Sequence, residues 1–193
     1  MVIRKTFVSI ANEDGWVREC GENSNVGGAR NTGGSGAKAI RMGDHRGNQQ
    51  YKAILSFDTS SIPTDVTITA ARLELTRGGN TGQNPFNTHG THFVDIKAGG
   101  FSDNNALEKN DFQAPADGVQ VGIVSNQGGS GTTYNVDLKD DALNFISKED
   151  RTQLRLYFSL DDNDDQGTDL AGFYSANNSN AARHPRLIIT YQE

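Results

Sequence analysis

Thr152–Asp169 reads TQLRLYFSL DDNDDQGTD, and its two halves point to different things. In the first half Leu154, Leu156, Phe158 and Leu160 alternate with Arg155, Tyr157 and Ser159. A period of two means a β-strand with one face in a core and the other free to carry a guanidinium and a phenol. The second half gathers Asp161, Asp162, Asp164, Asp165 and Asp169 around Asn163 and Gly167. Carboxylates so close together repel one another unless water or a cation neutralises them.

The same alternation recurs outward from this segment. Tyr51–Phe57 places Tyr51, Ala53, Leu55 and Phe57 opposite Lys52, Ile54 and Ser56. Thr67–Arg77 sets Ala71, Leu73 and Leu75 against Arg72, Glu74 and Thr76, and Arg186–Tyr191 aligns Leu187, Ile189 and Tyr191. Shorter strands are expected at Lys5–Ala11, Gly15–Cys20, Lys38–Met42, Thr91–Ala98, Val119–Ser125, Thr133–Leu138 and Leu170–Ser175. Glu22–Gly36 and Gly78–Gly90 read as long loops, His45–Gln50 as a polar turn, and Gly99–Asp111 as irregular chain. Asp140–Ser147 is the one helical pattern, with Asp140 or Asp141 as its cap and Ala142, Leu143, Phe145 and Ile146 as its stripe.

About ten short strands joined by Gly- and Asn-rich loops predict an all-β fold, an antiparallel β-sandwich of jelly-roll type with one short helix. The 22 glycines against 4 prolines suit such turns. No strand–helix alternation suggests a parallel sheet. The 193 residues fit one module spanning residues 1–193, large enough to bury a core without staples.

Net charge is −6, with a pI near 5.2, which argues against nucleic acid as a partner but leaves room for arginines clustered on one face. Nothing approaches the roughly 18 apolar residues of a membrane span, so membrane insertion is not expected. The start, MVIRKTF, lacks a secretory h-region, which fits either an exported module cut from a longer protein or a cytosolic chain. Cys20 is the single cysteine and is expected to be a half-buried strand residue. No GxSxG elbow, P-loop or dinucleotide fingerprint is present.

Several phrases carry a resemblance together: EDGWVRE (13–19), YKAILSFDTSSIPTDVTITAARLEL (51–75), GGFSDNNALEKNDFQAPAD (99–117), TQLRLYFSLDDNDD (152–165) and HPRLIITY (184–191). From Lys5 to Tyr191 the chain resembles the disaggregatase-related repeat, within the wider group of DNRLRE-type domains that includes the alginate-binding family 96 carbohydrate-binding modules. The resemblance implies a β-sandwich module of an exported or cell-surface protein that binds acidic polysaccharide. Any chemistry is then expected from a separate catalytic domain, so the module itself is not an enzyme. A structural or adhesive spacer is the alternative role, and a polysaccharide lyase using Tyr157 and Arg155 a third.

Two constellations follow. Arg41, Lys52, Arg72, Arg155 and Arg186 fall at core-opposite strand positions, joined by Tyr157, with Glu74 and Asp95 available to pair with them. Guanidinium forks bind carboxylates in two places at once, and Lys acts as a point charge, so the set is a candidate groove for uronic acids. Asp161, Asn163, Asp165 and Asp169 offer oxygens to a structural calcium ion, with Gly167 for the turn. The register that starts at Asp162 and includes Asp164 is equally open. Glu13 and Asp14 mark a second possible ion site. Trp16, the only tryptophan, is expected in or near the core rather than as an exposed sugar platform. His89 and His92 have HxxH spacing without a third zinc ligand and are expected to be loop histidines.

Overall fold

The computed structural model describes residues 1–193. In chain order the strands are β1 (Val2–Val8), β2 (Gly15–Glu19), β3 (Gly27–Thr32), β4 (Ile40–His45), β5 (Gln49–Asp58), β6 (Thr67–Thr81), β7 (His92–Ala98), β8 (Gly118–Ile123), β9 (Thr133–Asp137), β10 (Arg151–Phe158), β11 (Leu170–Phe173) and β12 (Arg186–Gln192). Every strand pairing is antiparallel. One layer runs β1-β12-β6-β9, and the other centres on β5, β10, β7 and β8. Strand β6 joins them: Thr67–Thr76 pairs with β12 and β9, whereas Arg77–Thr81 pairs with β11, which leads through β4 to β5. The sheet therefore curls over itself, as a jelly-roll-like sandwich requires.

The alternating residues fill the space between the layers. Leu55, Phe57, Leu154, Leu156 and Phe158 come from one side and Leu73, Leu75, Leu187 and Ile189 from the other, within a cluster of 28 buried residues. No helix is long and apolar enough to cross a membrane.

A smaller core lies outside the second layer. Gly99–Asp117, which includes the Gly99–Asp111 stretch expected to be irregular, folds back over β2, β5 and β10 through short 3-10 turns at Phe101–Asp103 and Lys109–Phe112. Phe101, Leu107, Phe112 and Ala114 pack on Val17 and Ile54. Glu108 and Asp111 exchange side-chain and backbone hydrogen bonds in a capping box that holds this cover in shape.

The expected helix is instead a 3-10 segment, Asp140–Phe145; its cap position is Lys139, and neither aspartate caps it. The only α-helical turn, α1 (Pro85–Thr88), lies in the expected Gly78–Gly90 loop, where Asn84 caps it and Pro85 opens it. Strand β3 forms inside the expected Glu22–Gly36 loop. Its glycines are needed for contact rather than for turning: a Cβ on Gly27 would lie 1.8 Å from the Lys109 carbonyl oxygen. Cys20 is exposed, just beyond the end of β2. His89 lies in the loop just after α1, whereas His92 opens β7; both are buried, and His92 stacks on Phe158 at 4.5 Å. Burial lowers the His92 pKa to about 3, so the ring is a neutral core aromatic.

Candidate functional site

The basic set does not form one surface. Arg72 and Arg186 lie on the β1-β12-β6-β9 layer. Arg72 makes a two-point pair with Asp137, its register partner on β9, at 2.6 and 3.2 Å. Arg186 donates to the Ala181 carbonyl at 2.9 Å.

Arg155, Lys52 and Tyr157 lie on the other layer, the first two beneath the Gly99–Asp117 cover. Arg155 is 7% exposed and pairs with Asp95, directly opposite on β7, at 2.7 Å. It also donates to the carbonyls of Asp111 (3.0 Å) and Ala114 (2.7 Å), and its guanidinium lies 4.7 Å from the Phe101 ring. Lys52 donates to the Phe112 carbonyl at 3.2 Å; burial lowers its pKa to about 8. The Tyr157 hydroxyl donates to Asp95 at 3.2 Å. Burial, followed by the charge of Asp95, raises its pKa to about 12, the wrong direction for a lyase base at neutral pH. Arg155 and Lys52 therefore fasten the cover to the sheet, and Asp95 is the internal counterion of Arg155.

Arg41 is differently placed. Tyr51 on β5 stands opposite Arg18 on β2 and opposite Gly43 on β4. Residues two apart along a strand share a face, so Trp16 joins Arg18, and Arg41 and His45 join Gly43. Trp16 and Tyr51 meet edge to face, with ring centroids 5.0 Å apart. The Arg41 guanidinium lies 5.2 Å from the Trp16 ring and 5.9 Å from Tyr51, and the Arg18 guanidinium lies 5.7 Å from Tyr51.

Neither Arg18 nor Arg41 has an ion-pair partner. Arg41 uses only its Nε, donating to the Lys38 carbonyl at 3.1 Å, and the buried Nε of Arg18 has no acceptor. Burial is the main cause that lowers the pKa of His45; the charges of Arg18 and Arg46 act in the same direction and Asp44 opposes them. Beside it opens a cleft of about 360 Å³ lined by Trp16, Asn31, Thr32, Lys38 and Arg41 among others, with no carboxylate in its wall. Trp16 is half-buried and lines this cleft. Of the residues in this corner, the strand alternation points to Arg41 alone. Arg18 and Trp16 alternate on β2, but which side of that strand is open depends on the fold.

The acidic loop also sorts itself. Asp169 is buried and accepts from the Gln83 amide N–H (2.6 Å) and from Asn163 Nδ2 (2.9 Å). Asp165 accepts from Gly167 N–H (2.6 Å) and Gln83 Nε2 (2.7 Å). Asn163 thus turns its Nδ2 toward the carboxylates of Asp165 and Asp169, its Oδ1 is taken by the Asp165 N–H, and Asp161 stands apart from these contacts. The other register comes together instead: carboxylate oxygens of Asp162 and Asp164 lie with one of Glu22 within 4.8 Å of one another. Asn48, buried on the turn after β4, directs its amide toward Asp164 at 3.5 Å. Glu13, from the second expected ion site, pairs with Arg151 at 3.0 Å, and Asp14 is fully buried.

No family model and no curated protein matches the chain. Among solved structures, it is similar to xylanase 10C of Cellvibrio japonicus in complex with xylopentaose, with 11% identity and a TM-score of 0.36. The match covers 96% of this chain and 28% of that one.

Proposed function

We propose that this chain is a non-catalytic carbohydrate-binding module for an acidic, uronate-containing polysaccharide, held at the Trp16–Arg41–Tyr51–Arg18 corner. The observation that carries the reading is the pair of guanidiniums stacked on aromatic rings without a carboxylate partner. An aromatic ring offers a face to a sugar ring, and a free guanidinium fork fits a sugar carboxylate. This reading agrees with the role implied by the resemblance to the disaggregatase-related repeat, and its setting is outside the cell, as one module of a longer protein. A site built on a few charges is weak and salt-sensitive, and repetition of modules raises the avidity.

The test is calorimetric titration with oligomannuronate at low and moderate salt. Arg41→Ala and Trp16→Ala are each expected to weaken binding about tenfold or more, whereas Arg72→Ala leaves it unchanged. Equal affinity in all three variants removes this corner as the site.

Calcium is the cofactor we assign to the acidic loop. Glu22, Asp162 and Asp164 supply carboxylate oxygens only, the donor type that a hard cation takes. The ion's role is to tie the Cys20–Val26 loop to the acidic loop. Chelation is expected to lower the melting temperature of the native protein, and Asp164→Asn to abolish that response. A melting temperature indifferent to chelator and to added calcium excludes the ion.

A further inference from the structure

We infer that a second cleft, around Arg77, is an oxyanion subsite for the same polymer. This rests on the acidic-glycan reading and extends it. Arg77 is 2% exposed and lies between the rings of Phe173 (4.9 Å) and Phe86 (5.4 Å). Its guanidinium donates to the Gly172 carbonyl and to Asn80 Oδ1, and no carboxylate pairs with it. A buried cation without a counterion is costly to hold, and burial alone lowers the pKa of this group.

Arg77 lines an open cleft of about 560 Å³ with no hydrophobic residue and no carboxylate in its wall. The amides there are oriented alike. Asn80 Oδ1 accepts from Arg77, Asn84 Oδ1 accepts from the Phe86 N–H, and Asn126 Oδ1 accepts from the Tyr134 hydroxyl at 2.7 Å. All three oxygens are occupied, whereas the three amide nitrogens have no protein acceptor. Gln127 spends its amide on the Asn135 backbone. The side chains thus present donors to the cleft, and the complementary ligand is rich in acceptors and negative. A sugar carboxylate flanked by ring and hydroxyl oxygens has that chemistry.

One contact joins the walls of the cleft beside Trp16 and of this one. Lys38, in the wall of the first, donates from Nζ to the carbonyl of Asn80, in the wall of the second, at 3.1 Å. Gly78 makes the approach possible, since a Cβ there would lie 1.5 Å from the Ala37 carbonyl oxygen. On this proposal one polymer reaches both clefts, with Arg41 in the wall of the first and Arg77 in the wall of the second.

The test uses Asn84→Asp with Asn126→Asp, singly and together. Each keeps the acceptor oxygen that the fold uses and replaces the free donor by an anion. Melting temperature is expected to stay within the normal range for surface substitutions, with Asn84→Asp still capping α1. Affinity for an oligomannuronate hexamer is expected to fall about tenfold or more in the double variant, with affinity for the dimer, which fits one cleft, unchanged. Unchanged hexamer affinity in the folded double variant overturns the second subsite and leaves the first standing. Loss in the double variant but none in Arg41→Ala removes the first site and keeps the second. A hexamer that does not bind the unsubstituted protein overturns both.

Discussion

Arg155→Met is expected to destabilise the protein by about 3–5 kcal/mol, the usual cost of breaking a buried ion pair from one side. For a chain of this size that lowers the melting temperature by roughly 10 °C. The cost falls on Asp95, which is 2% exposed and keeps only the Gln120 N–H and the Tyr157 hydroxyl as donors. Three carbonyls of the cover, at Asp111, Phe112 and Ala114, lose their shared donor in the same step. Detachment of Gly99–Asp117 would uncover Val17 and Ile54, so loss of packing adds to loss of charge. Urea unfolding followed by Trp16 fluorescence measures the effect, and adding Asp95→Asn to the variant should restore part of it. A loss below about 1 kcal/mol, the range of exposed pairs, would mean that Arg155 is solvated, and would return it to the candidate binding surface.

Asp14 should control how stability depends on pH. Its carboxyl is fully buried, and burial raises its pKa to about 8, against a hydrogen bond from the Ser56 N–H that favours the charge. The folded chain then keeps this proton up to about pH 8, whereas the unfolded chain releases it near pH 3.9. Between those values the folded state binds more protons, so stability falls as pH rises and levels off above pH 8.

Other groups act in other windows. Asp111, raised to about 6 by burial, acts in the same direction but is finished by pH 6. His92, lowered to about 3, works the opposite way below its unfolded value near pH 6.5. Lys52, lowered to about 8, adds stability only as pH rises beyond 8. From pH 6.5 to 8 Asp14 dominates, and the expected loss is about 2 kcal/mol. Asp14→Asn keeps the acceptor for Ser56 N–H and removes the titration, so its melting temperature should be flat across that interval. An equal slope in both proteins would assign the effect elsewhere.

Alternation of apolar residues made the strands readable. Leu154, Leu156 and Phe158, or Leu73 and Leu75, face the core where the pattern places them, because a pleated strand has no other way to bury every second side chain. The same alternation was a poor guide to binding residues. It marks the side of a strand away from the main core, but not whether water or another segment covers that side. For Arg155 and Lys52 the neighbour is Gly99–Asp117. Its own signal was present: Phe101, Leu107 and Phe112 need burial, and Ile54 offers an apolar patch between Lys52 and Ser56. Only contact across about fifty residues of chain joins those two facts.

By itself, then, the sequence determined an antiparallel all-β chain, the position of most strands, and an acidic loop with two possible ligand registers. Tertiary structure decided which charges are internally paired and which are free. Asp95 answers Arg155 and Asp137 answers Arg72, whereas Arg18, Arg41 and Arg77 have no carboxylate in contact. It also placed Glu22 beside Asp162 and Asp164, leaving Asn163, Asp165 and Asp169 to bond with one another and with Gln83. The physical reason is the same in each case. Periodicity reports the local environment of one strand, but a counterion or a metal ligand is supplied by a segment distant in sequence, through a register that no single segment encodes.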